Sequence, residues 1–224
     1  MALDFDGTDD RVDHGDIAAI DGAAALSVAF WVYLQTSENG TELVGKGGAG
    51  FTIRESTSSV DDMAASFPDA ATQGRTTGSI FPAGSWQHWI MVFDGAGVGN
   101  AARLQLYKDG VNQTLTFDGT IPATIGDAGT AQLQVGVNQG LNAFYADAII
   151  AHLKIWTAAL TAAEAAQEMN SYLPARTANL ILWSPYDDGT NARDYSGNGN
   201  HGTVTGALAA GGPPVGHGDP VLIS

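Results

Sequence analysis

Polar and apolar residues alternate with period two through the first two thirds of the chain, and this pattern limits the fold more than any other feature. Six segments show it: 26–34, 42–46, 50–55, 86–94, 102–108 and 133–137. Turn-forming pairs such as Asn39-Gly40 and Asp94-Gly95 separate them. Short alternating segments between such turns predict an all-β, antiparallel sandwich.

The strongest local signal is the pair Asp109-Gly110 between the apolar segments 104–108 and 111–117. A type I′ turn needs positive φ at both central residues, and Asp followed by Gly meets this need. The pair therefore predicts a tight hairpin that joins these two segments.

One helix is predicted late in the chain. Thr161 and Glu164 have the spacing of a capping box, and the Ala-rich stretch behind them extends to about Ser171, before Pro174. These signals divide the chain into a sandwich domain (1–173), C-terminal return strands with a Gly/Asn-rich turn packed on the sandwich (174–206) and an extended C-terminal arm (207–224). Gly and Pro dominate the arm and favour an extended chain.

Charge and composition exclude several functions. The formal net charge is −15, so the protein repels phosphate backbones and anionic lipids, and we expect no nucleic-acid partner. No apolar run is long enough to span a bilayer, so no membrane insertion is expected. Cysteine is absent, which leaves oxygen and histidine as the available metal ligands.

Several segments, in order, resemble the concanavalin A-like jelly roll in its laminin G-like branch, which occurs in bacterial surface proteins and phage structural proteins. The matching segments are 2–12, 26–32, 86–95, 106–110, 150–156 and 159–161. Residues 194–202 resemble a turn that usually precedes such a domain, whereas here they follow it. The resemblance implies two antiparallel sheets with one concave face, a scaffold that hosts lectins, glycosidases, lyases and adhesion modules.

Calcium is the cofactor that the resemblance implies, at a site near the sheet rim. Carboxylates cluster at the first turn and before the last core strand: Asp4, Asp6, Asp9, Asp10 and Asp147. Oxygen ligands of this kind suit Ca²⁺. Capping of Gly-rich loops by Asx turns explains the same residues, and both interpretations stay open. Ala151 stands where many relatives have Asp, which counts against the metal.

A glycan-binding surface needs exposed aromatic rings beside amide or carboxylate groups. The tryptophans on predicted strands follow the core pattern and are expected to be buried: Trp31, Trp86, Trp89 and Trp156. The candidate glycan-binding residues flank loops instead: Asn138, Gln139, Asn142, Tyr145, Trp183 and Tyr186.

Catalysis is not expected. A retaining glycosidase needs two carboxylates about 5 to 5.5 Å apart, and none of the five Glu residues lies in the Glu-x-Asp-x-x-Glu arrangement of the related glucanases. No strand offers the clustered Gln, His, Tyr and Lys of polysaccharide lyases. His88, between Trp86 and Trp89, is expected to be structural. Glycoside hydrolase and polysaccharide lyase activity therefore rank below a non-catalytic function.

Two non-catalytic functions remain, and both allow binding of surface glycans. One is a virion surface protein, such as a capsid decoration, cement or tail component, and the other is a lectin-like module of a secreted or cell-surface bacterial protein. The chain starts at Met1 without a signal peptide, and a phage protein needs none because lysis releases it. We therefore expect a location on the virion surface, with the extracellular lectin as the alternative.

The arm carries the prediction about assembly. Its apolar end consists of Val221, Leu222 and Ile223. These side chains are expected to dock on another virion protein or on a second copy of the chain, which favours a homo-oligomer. The alternative is that the arm pairs with its own sandwich as an edge strand.

Overall fold

The fold consists of two eight-stranded antiparallel sheets packed face to face, which confirms the predicted jelly-roll sandwich. A computed structural model describes residues 1–47, 49–68, 71–187 and 191–215. Its strands are β1 (Ala2–Asp6), β2 (Arg11–Asp13), β3 (Ala25–Leu34), β4 (Glu42–Lys46), β5 (Phe51–Glu55), β6 (Met63–Ser66), β7 (Gln73–Arg75), β8 (Trp86–Asp94), β9 (Leu104–Lys108), β10 (Val111–Asn112), β11 (Thr116–Asp118), β12 (Leu133–Val135), β13 (Asp147–Trp156), β14 (Leu180–Ser184), β15 (Thr203–Thr205) and β16 (Leu208–Ala210). Its helices are α1 (Asn100–Arg103), α2 (Ala162–Glu168) and a 3-10 turn, Ala18–Ile20.

The first sheet has the strand order β10-β9-β8-β3-β13-β1-β16, and β14 also pairs with β13. The second sheet has the order β11-β7-β6-β5-β4-β12-β2-β15. Alternate residues of each strand point between the sheets, so the core takes one face of every strand. Phe30 and Trp89, for example, are paired across β3 and β8 and are almost fully buried.

Helix α2 covers part of the outward face of the first sheet. Thr161 caps its first turn, and the Thr161 and Glu164 side chains each bond the other residue's backbone N–H, which confirms the predicted capping box. Lys154 of β13 forms a buried ion pair with Glu168 at 2.6 Å. Trp156 lies beneath it, in an apolar cluster with Tyr107, Leu160 and Ala165. The helix is thus fixed by packing and charge together.

The predicted hairpin is present, but its second strand is divided. Asp109 and Gly110 have φ values of 48° and 76°, as a type I′ turn requires. The segment 111–117 forms only the two-residue β10 before the chain crosses to the second sheet, where β11 begins. Leu115 and Phe117 turn inward here, against Leu104 and the space left by Gly74, where a Cβ would lie 2.8 Å from Leu104 Cδ2.

Residues 194–200 protect the open edge of β14. The Asp194 carboxylate accepts hydrogen bonds from the N–H groups of Trp183, at 3.0 Å, and Ser196, at 2.8 Å. Asn198 and Asn200 donate their side-chain amides to the carbonyl oxygens of Leu180 and Ile181 on the same strand. We call the side chains of Asp194, Ser196, Asn198 and Asn200 the edge cap, since they satisfy backbone groups that an unpaired strand would expose.

The start of the predicted arm returns to its own sandwich as an edge strand, which is the alternative that the sequence left open. Leu208–Ala210 forms β16 and pairs with β1, where Ala2 faces Ala210. Pro213 is buried, and Val215 packs against the cluster that contains Trp31. The small side chains of this segment allow the close pairing that an edge strand needs. Val221, Leu222 and Ile223 lie outside the described residues, so their role in assembly stays a prediction.

Candidate functional site

A row of residues, all with polar side chains except Gly45, crosses the whole outward face of the second sheet. One residue of each strand takes part, and the register of the sheet places them in line: Thr203, Asp13, Gln134, Gly45, Thr52, Ser66, Gln73 and Asp118. Their strand neighbours, such as Val12 and Leu133, point into the core. We call this line the polar row. It has no apolar member, unlike the outward face of the first sheet.

Charged groups in and beside the row neutralise one another. Arg54 donates to Gln73 at 3.0 Å, and Gln73 donates to Asp118 at 3.0 Å. Asp118 also pairs with Arg75, and the bond from Gln73, followed by the Arg75 charge, lowers its pKa. Burial raises the pKa of Glu42, while the facing Arg54 opposes that shift. The face therefore carries little net charge, and the polar side chains in the middle of the row, Thr52, Ser66, Gln73 and Gln134, are buried.

The loop 138–145, here called the rim loop, lies beside this face and contains four of the predicted glycan-binding residues. Gly47 N–H donates to the side-chain oxygen of Gln139 at 3.2 Å, and Glu42 N–H donates to Phe144 O at 3.0 Å. These contacts join the loop to both ends of β4. Gly45 of the polar row lies between them, so the rim loop and the row are neighbours.

The rim loop is held by its own side chains. Asn138 donates its amide to Asn142 Oδ1 at 3.2 Å, and its Oδ1 accepts from Asn142 N–H at 3.3 Å. Tyr145 turns its hydroxyl back onto Leu141 O at 2.8 Å. The exposed aromatic ring is that of Phe144, which is 50% exposed and packs against Gly40. The sequence did not single out Phe144. Phe144 and Tyr145 are adjacent, and the alternation of polar and apolar residues does not show which of the two rings faces solvent.

Backbone strain accompanies this exposure. Leu141 and Phe144 have φ values of 52° and 57°, a region that bulky residues rarely adopt. Such conformations cost free energy and concentrate at ligand sites. The loop thus presents one aromatic ring and exposed amides in a fixed arrangement.

The other two predicted glycan-binding residues lie elsewhere, and one of them cannot contact a glycan. Tyr186 is fully buried, with its hydroxyl 3.2 Å from His14 Nε2, so its place in a binding surface was wrong. Trp183 is half-buried on the first sheet, between the rings of Tyr172 and Tyr195, with centroids 5.7 and 5.8 Å away. It forms a second, separate aromatic surface.

Three of the five predicted calcium ligands come together. Asp6, Asp9 and Asp10 have carboxylate oxygens within 4.8 Å of one another, a donor set that fits an oxygen-preferring cation. Asp4 accepts a bond from Gln35 at 2.7 Å, and Asp147 faces Asp6 across the sheet, but neither belongs to this group. Asx-turn contacts are also present: Asp6 Oδ1 accepts from Thr8 N–H at 2.9 Å.

Two further observations concern groups outside these clusters. His88, expected to be structural, is buried with its ring centroid 5.1 Å from that of Trp31, and its role stays a prediction. No helix in the described ranges has the length and apolarity that crossing a membrane requires.

Solved structures of similar fold include several from carbohydrate-active proteins. A candidate carbohydrate-binding protein from Bacteroides ovatus has a TM-score of 0.73 at 14% identity, and the match covers 92% of this chain but 58% of that one. Domain 4 of an extracellular arabinanase from Geobacillus stearothermophilus, solved with arabinotriose, has a TM-score of 0.54 at 21% identity and covers 74% of this chain and 75% of its own. A sialidase from Streptococcus pneumoniae has a TM-score of 0.56 at 13% identity, with coverage of 74% and 27%.

These low identities establish the shared fold alone. No curated protein sequence matches the chain. A family model, in contrast, matches residues 6–166 directly from the sequence, and the match spans most of the sandwich. The resemblance seen in the strand motifs is thereby confirmed, and the chain belongs to the concanavalin A-like lectin/glucanases superfamily, in its laminin G group.

Proposed function

We propose that this protein is a non-catalytic carbohydrate-binding module that acts outside the cell or at a cell surface and takes its ligand at the rim loop. The observation that carries the proposal is the half-exposed Phe144 ring beside the exposed amide of Asn142, on a loop fixed by its own hydrogen bonds. An aromatic ring stacks on a sugar face while amides bond its hydroxyls. A pre-formed loop lowers the entropy cost of binding.

The polar row adds a contact at its open end. It passes the rim loop at Gly45 and continues across the sheet to Asp118, whose side chain is 41% exposed, whereas Thr52, Ser66 and Gln73 between them are buried. A face with little net charge suits a neutral saccharide. The carbohydrate-binding protein and the arabinotriose-bound domain of similar fold support the same class of ligand.

The proposed absence of catalysis rests on how the carboxylates of this face are engaged. Asp118 is paired with Arg75 and bonded by Gln73, and Asp13 Oδ1 accepts the N–H of Gly15 at 2.7 Å. Hydrolysis by either glycosidase mechanism needs one carboxyl group to act as acid and a second as nucleophile or base. Incubation with laminarin, alginate and agar should release no product, and turnover that one acidic substitution abolishes would refute this part.

This proposal replaces the virion role expected from the sequence. That expectation rested on the start of the chain, and the similar proteins described above give it no support. They fit the lectin-like alternative instead.

We also propose that the carboxylates of Asp6, Asp9 and Asp10 bind a calcium ion. Three convergent carboxylates supply part of the six to eight oxygens that Ca²⁺ takes. The ion would fix the first turn of the sandwich and neutralise a local excess of negative charge.

A matched pair of aromatic substitutions tests the binding site. Phe144→Ala removes a ring that is 50% exposed on the rim loop, and Tyr195→Ala removes one that is 45% exposed on the Trp183 surface. After a glycan array identifies a ligand, Phe144→Ala should weaken binding by about five- to tenfold, as expected for an aromatic anchor. Tyr195→Ala should leave it unchanged.

Thermal unfolding of both variants is the folding control, since neither exposed ring supports the core. If only Tyr195→Ala loses binding, the ligand binds at the Trp183 surface and not at the rim loop. An array without any bound glycan, in the presence of calcium, would refute the proposed function itself.

A further inference from the structure

Glu55 ends β5 at the same end of the second sheet as the rim loop, and it is fully buried. Its backbone N–H donates to Thr41 O at 2.9 Å, next to the point where Glu42 N–H holds the carbonyl oxygen of Phe144. A carboxylate that is buried needs hydrogen-bond donors in place of water. The donors of Glu55 come from two loops that lie beside the rim loop.

The Glu55 carboxylate joins these two loops. One oxygen accepts the N–H of Glu38 at 2.8 Å, from the loop between β3 and β4 (37–41). The other oxygen accepts the N–H of Asp61, also at 2.8 Å, from the loop between β5 and β6 (56–61). Each oxygen holds one loop, so the carboxylate sets the distance between them. We call this arrangement the Glu55 clamp.

The Phe144 ring lies against both of the clamped loops. A Cβ on Gly40, in the first loop, would lie 3.1 Å from Phe144 Cε1 and 3.3 Å from Cγ2 of Thr57, in the second loop. Gly40 has no side chain, so the ring approaches its Cα closely. The position of the ring therefore depends on where the clamp holds Gly40 and Thr57.

We propose that Glu55 is a positioning residue for the saccharide site: its carboxylate holds the two loops that support the Phe144 ring in the orientation that stacks on a sugar. The inference rests on the proposed function of the rim loop, although the support of the ring is measurable without a saccharide. Only the charged form of Glu55 offers a strong acceptor to each loop, because protonation turns one oxygen into a hydroxyl that donates. Acidification therefore releases the ring.

The surroundings of Glu55 bring this release to a higher pH than an exposed glutamate would give. Burial raises the pKa of Glu55 above its ordinary value of 4.5, the two N–H donors oppose that shift, and the charges of Asp61 and Glu38 add to it. Burial also raises the pKa of Glu42, which faces Arg54 at the neighbouring end of β4. The acid response must therefore be assigned with a variant of Glu55 itself.

The first experiment measures the ring in the full-length protein without a saccharide. Nuclear Overhauser contacts between the Phe144 ring and the Gly40 Hα protons report its position. These contacts should weaken reversibly on acidification, with a midpoint above pH 4.5. In Glu55→Gln they should be weak at every pH, because the glutamine oxygen accepts from one loop while its NH₂ group faces the N–H of the other.

Asp62→Asn is the matched control. Asp62 is a buried carboxylate next to the second clamped loop, but its side chain accepts from the Thr76 hydroxyl, at 3.0 Å, and from neither loop. This variant should keep the ring contacts and their acid response. Thermal unfolding shows whether each variant is folded at the temperature of the measurement, and the wild-type titration tests the clamp without any substitution.

The second experiment measures binding of three neutral probes: cellopentaose, laminaripentaose and xylopentaose. Glu55→Gln should raise the Kd of a bound probe by about five- to tenfold and no more than Phe144→Ala does, since affinity falls with the fraction of molecules in which the ring is in place. Because Glu55 acts through this ring, Glu55→Gln/Phe144→Ala should bind no more weakly than Phe144→Ala alone.

The inference is overturned if Glu55→Gln keeps the wild-type ring contacts, or if its effect on binding adds to that of Phe144→Ala. It is also overturned if the acid response of the contacts persists in Glu55→Gln. If neither the probes nor a glycan array shows binding while the contacts depend on Glu55, the proposed function fails and the positioning of the ring by Glu55 is upheld.

Discussion

The Nε2 atom of His14 lies 3.2 Å from the Tyr186 hydroxyl, in a buried contact that joins the start of the chain to the return segment. The other ring nitrogen, Nδ1, lies 2.9 Å from the carbonyl oxygen of Asn200. A carbonyl only accepts, so the proton resides on Nδ1, and Nε2 accepts from Tyr186. The neutral ring thus satisfies both partners without a charge in the core.

The first prediction is that the free energy of unfolding decreases as the pH is lowered, because the buried His14 ring resists protonation. Burial lowers the pKa of His14 from 6.5 to about 4. Below pH 6.5 the unfolded chain binds a proton that the folded protein excludes, so stability decreases from pH 6.5 to about 4 and levels off below that. The loss attributable to His14 is about 3 kcal/mol.

Urea denaturation across this range measures the effect. Burial also lowers the pKa of His88, to about 3, so His14→Asn should reduce the pH dependence without removing it. An unchanged slope in His14→Asn would show that the buried ring does not govern the acid response.

The second prediction concerns the ion pair between Lys154 and Glu168. Burial raises the pKa of Glu168 and lowers that of Lys154, and each charge partly offsets the shift of the other. Glu168→Gln leaves a buried ammonium without its counter-charge and should destabilise the fold by about 3 to 5 kcal/mol.

Lys154→Met/Glu168→Leu should recover most of this loss in denaturant unfolding, because it removes both charges. Glu164→Gln is the matched control on the same helix, and it should cost no more than about 0.5 kcal/mol, because glutamine can keep the capping-box bond to the Thr161 N–H. A double variant no more stable than Glu168→Gln would mean that the other bonds of these groups, such as Lys154 to Ser171 O, dominate.

The third prediction is that the edge cap prevents aggregation. Asp194→Ala removes the acceptor of the Trp183 N–H group and leaves the edge of β14 open. Loss of a buried carboxylate with several bonds should cost about 2 to 4 kcal/mol, and concentrated samples should aggregate faster by light scattering. Asn198→Ala, which removes side-chain bonds to Leu180 O and Ser196 Oγ at an exposed position, should have a smaller effect. If the two variants lose the same stability and aggregate at the same rate, Asp194 is not the main protection of the β14 edge.

The sequence predicts the long strands well because their burial is one-sided or continuous. Strands β4 and β8 have the predicted bounds, and the Thr161 capping box marks α2 correctly. Short strands such as β6 and β7 escape prediction, since Met63–Ser66 and Gln73–Arg75 are too brief to show a period. Their partners are set by the sheet rather than by local sequence.

The candidate site was predicted in part for a similar reason. Amides near residue 140 were recognisable, and the structure brings Asn138 and Asn142 into contact. Which aromatic ring faces solvent depends on positive φ at Phe144, and whether Tyr186 is buried depends on His14, distant in sequence. Neither property has a local signature.

The fourth prediction separates the two parts of the C-terminus. Deletion of 208–224 removes β16, opens the edge of β1 and should lower the midpoint of thermal unfolding. Deletion of 216–224 keeps β16 and removes Val221, Leu222 and Ile223, so it tests self-association alone. If these residues join subunits, light scattering should show a smaller mass for this shorter deletion, and an unchanged mass would refute the homo-oligomer.

The last prediction distinguishes a calcium site from simple turn capping at the first turn. Calcium at a hundred times its Kd would add about 2.7 kcal/mol of stability, which raises the unfolding midpoint by about 5 to 10 °C in a chain of this size. Asp6→Asn keeps an oxygen that can accept the Thr8 N–H bond but removes the charge. It should therefore fold normally and lose most of the calcium response. Asp127→Asn is the matched control, since Asp127 accepts the Gly129 N–H in the same type of turn and lies outside the acidic group. If excess EDTA leaves the wild-type midpoint unchanged, these carboxylates serve the turn and hold no calcium.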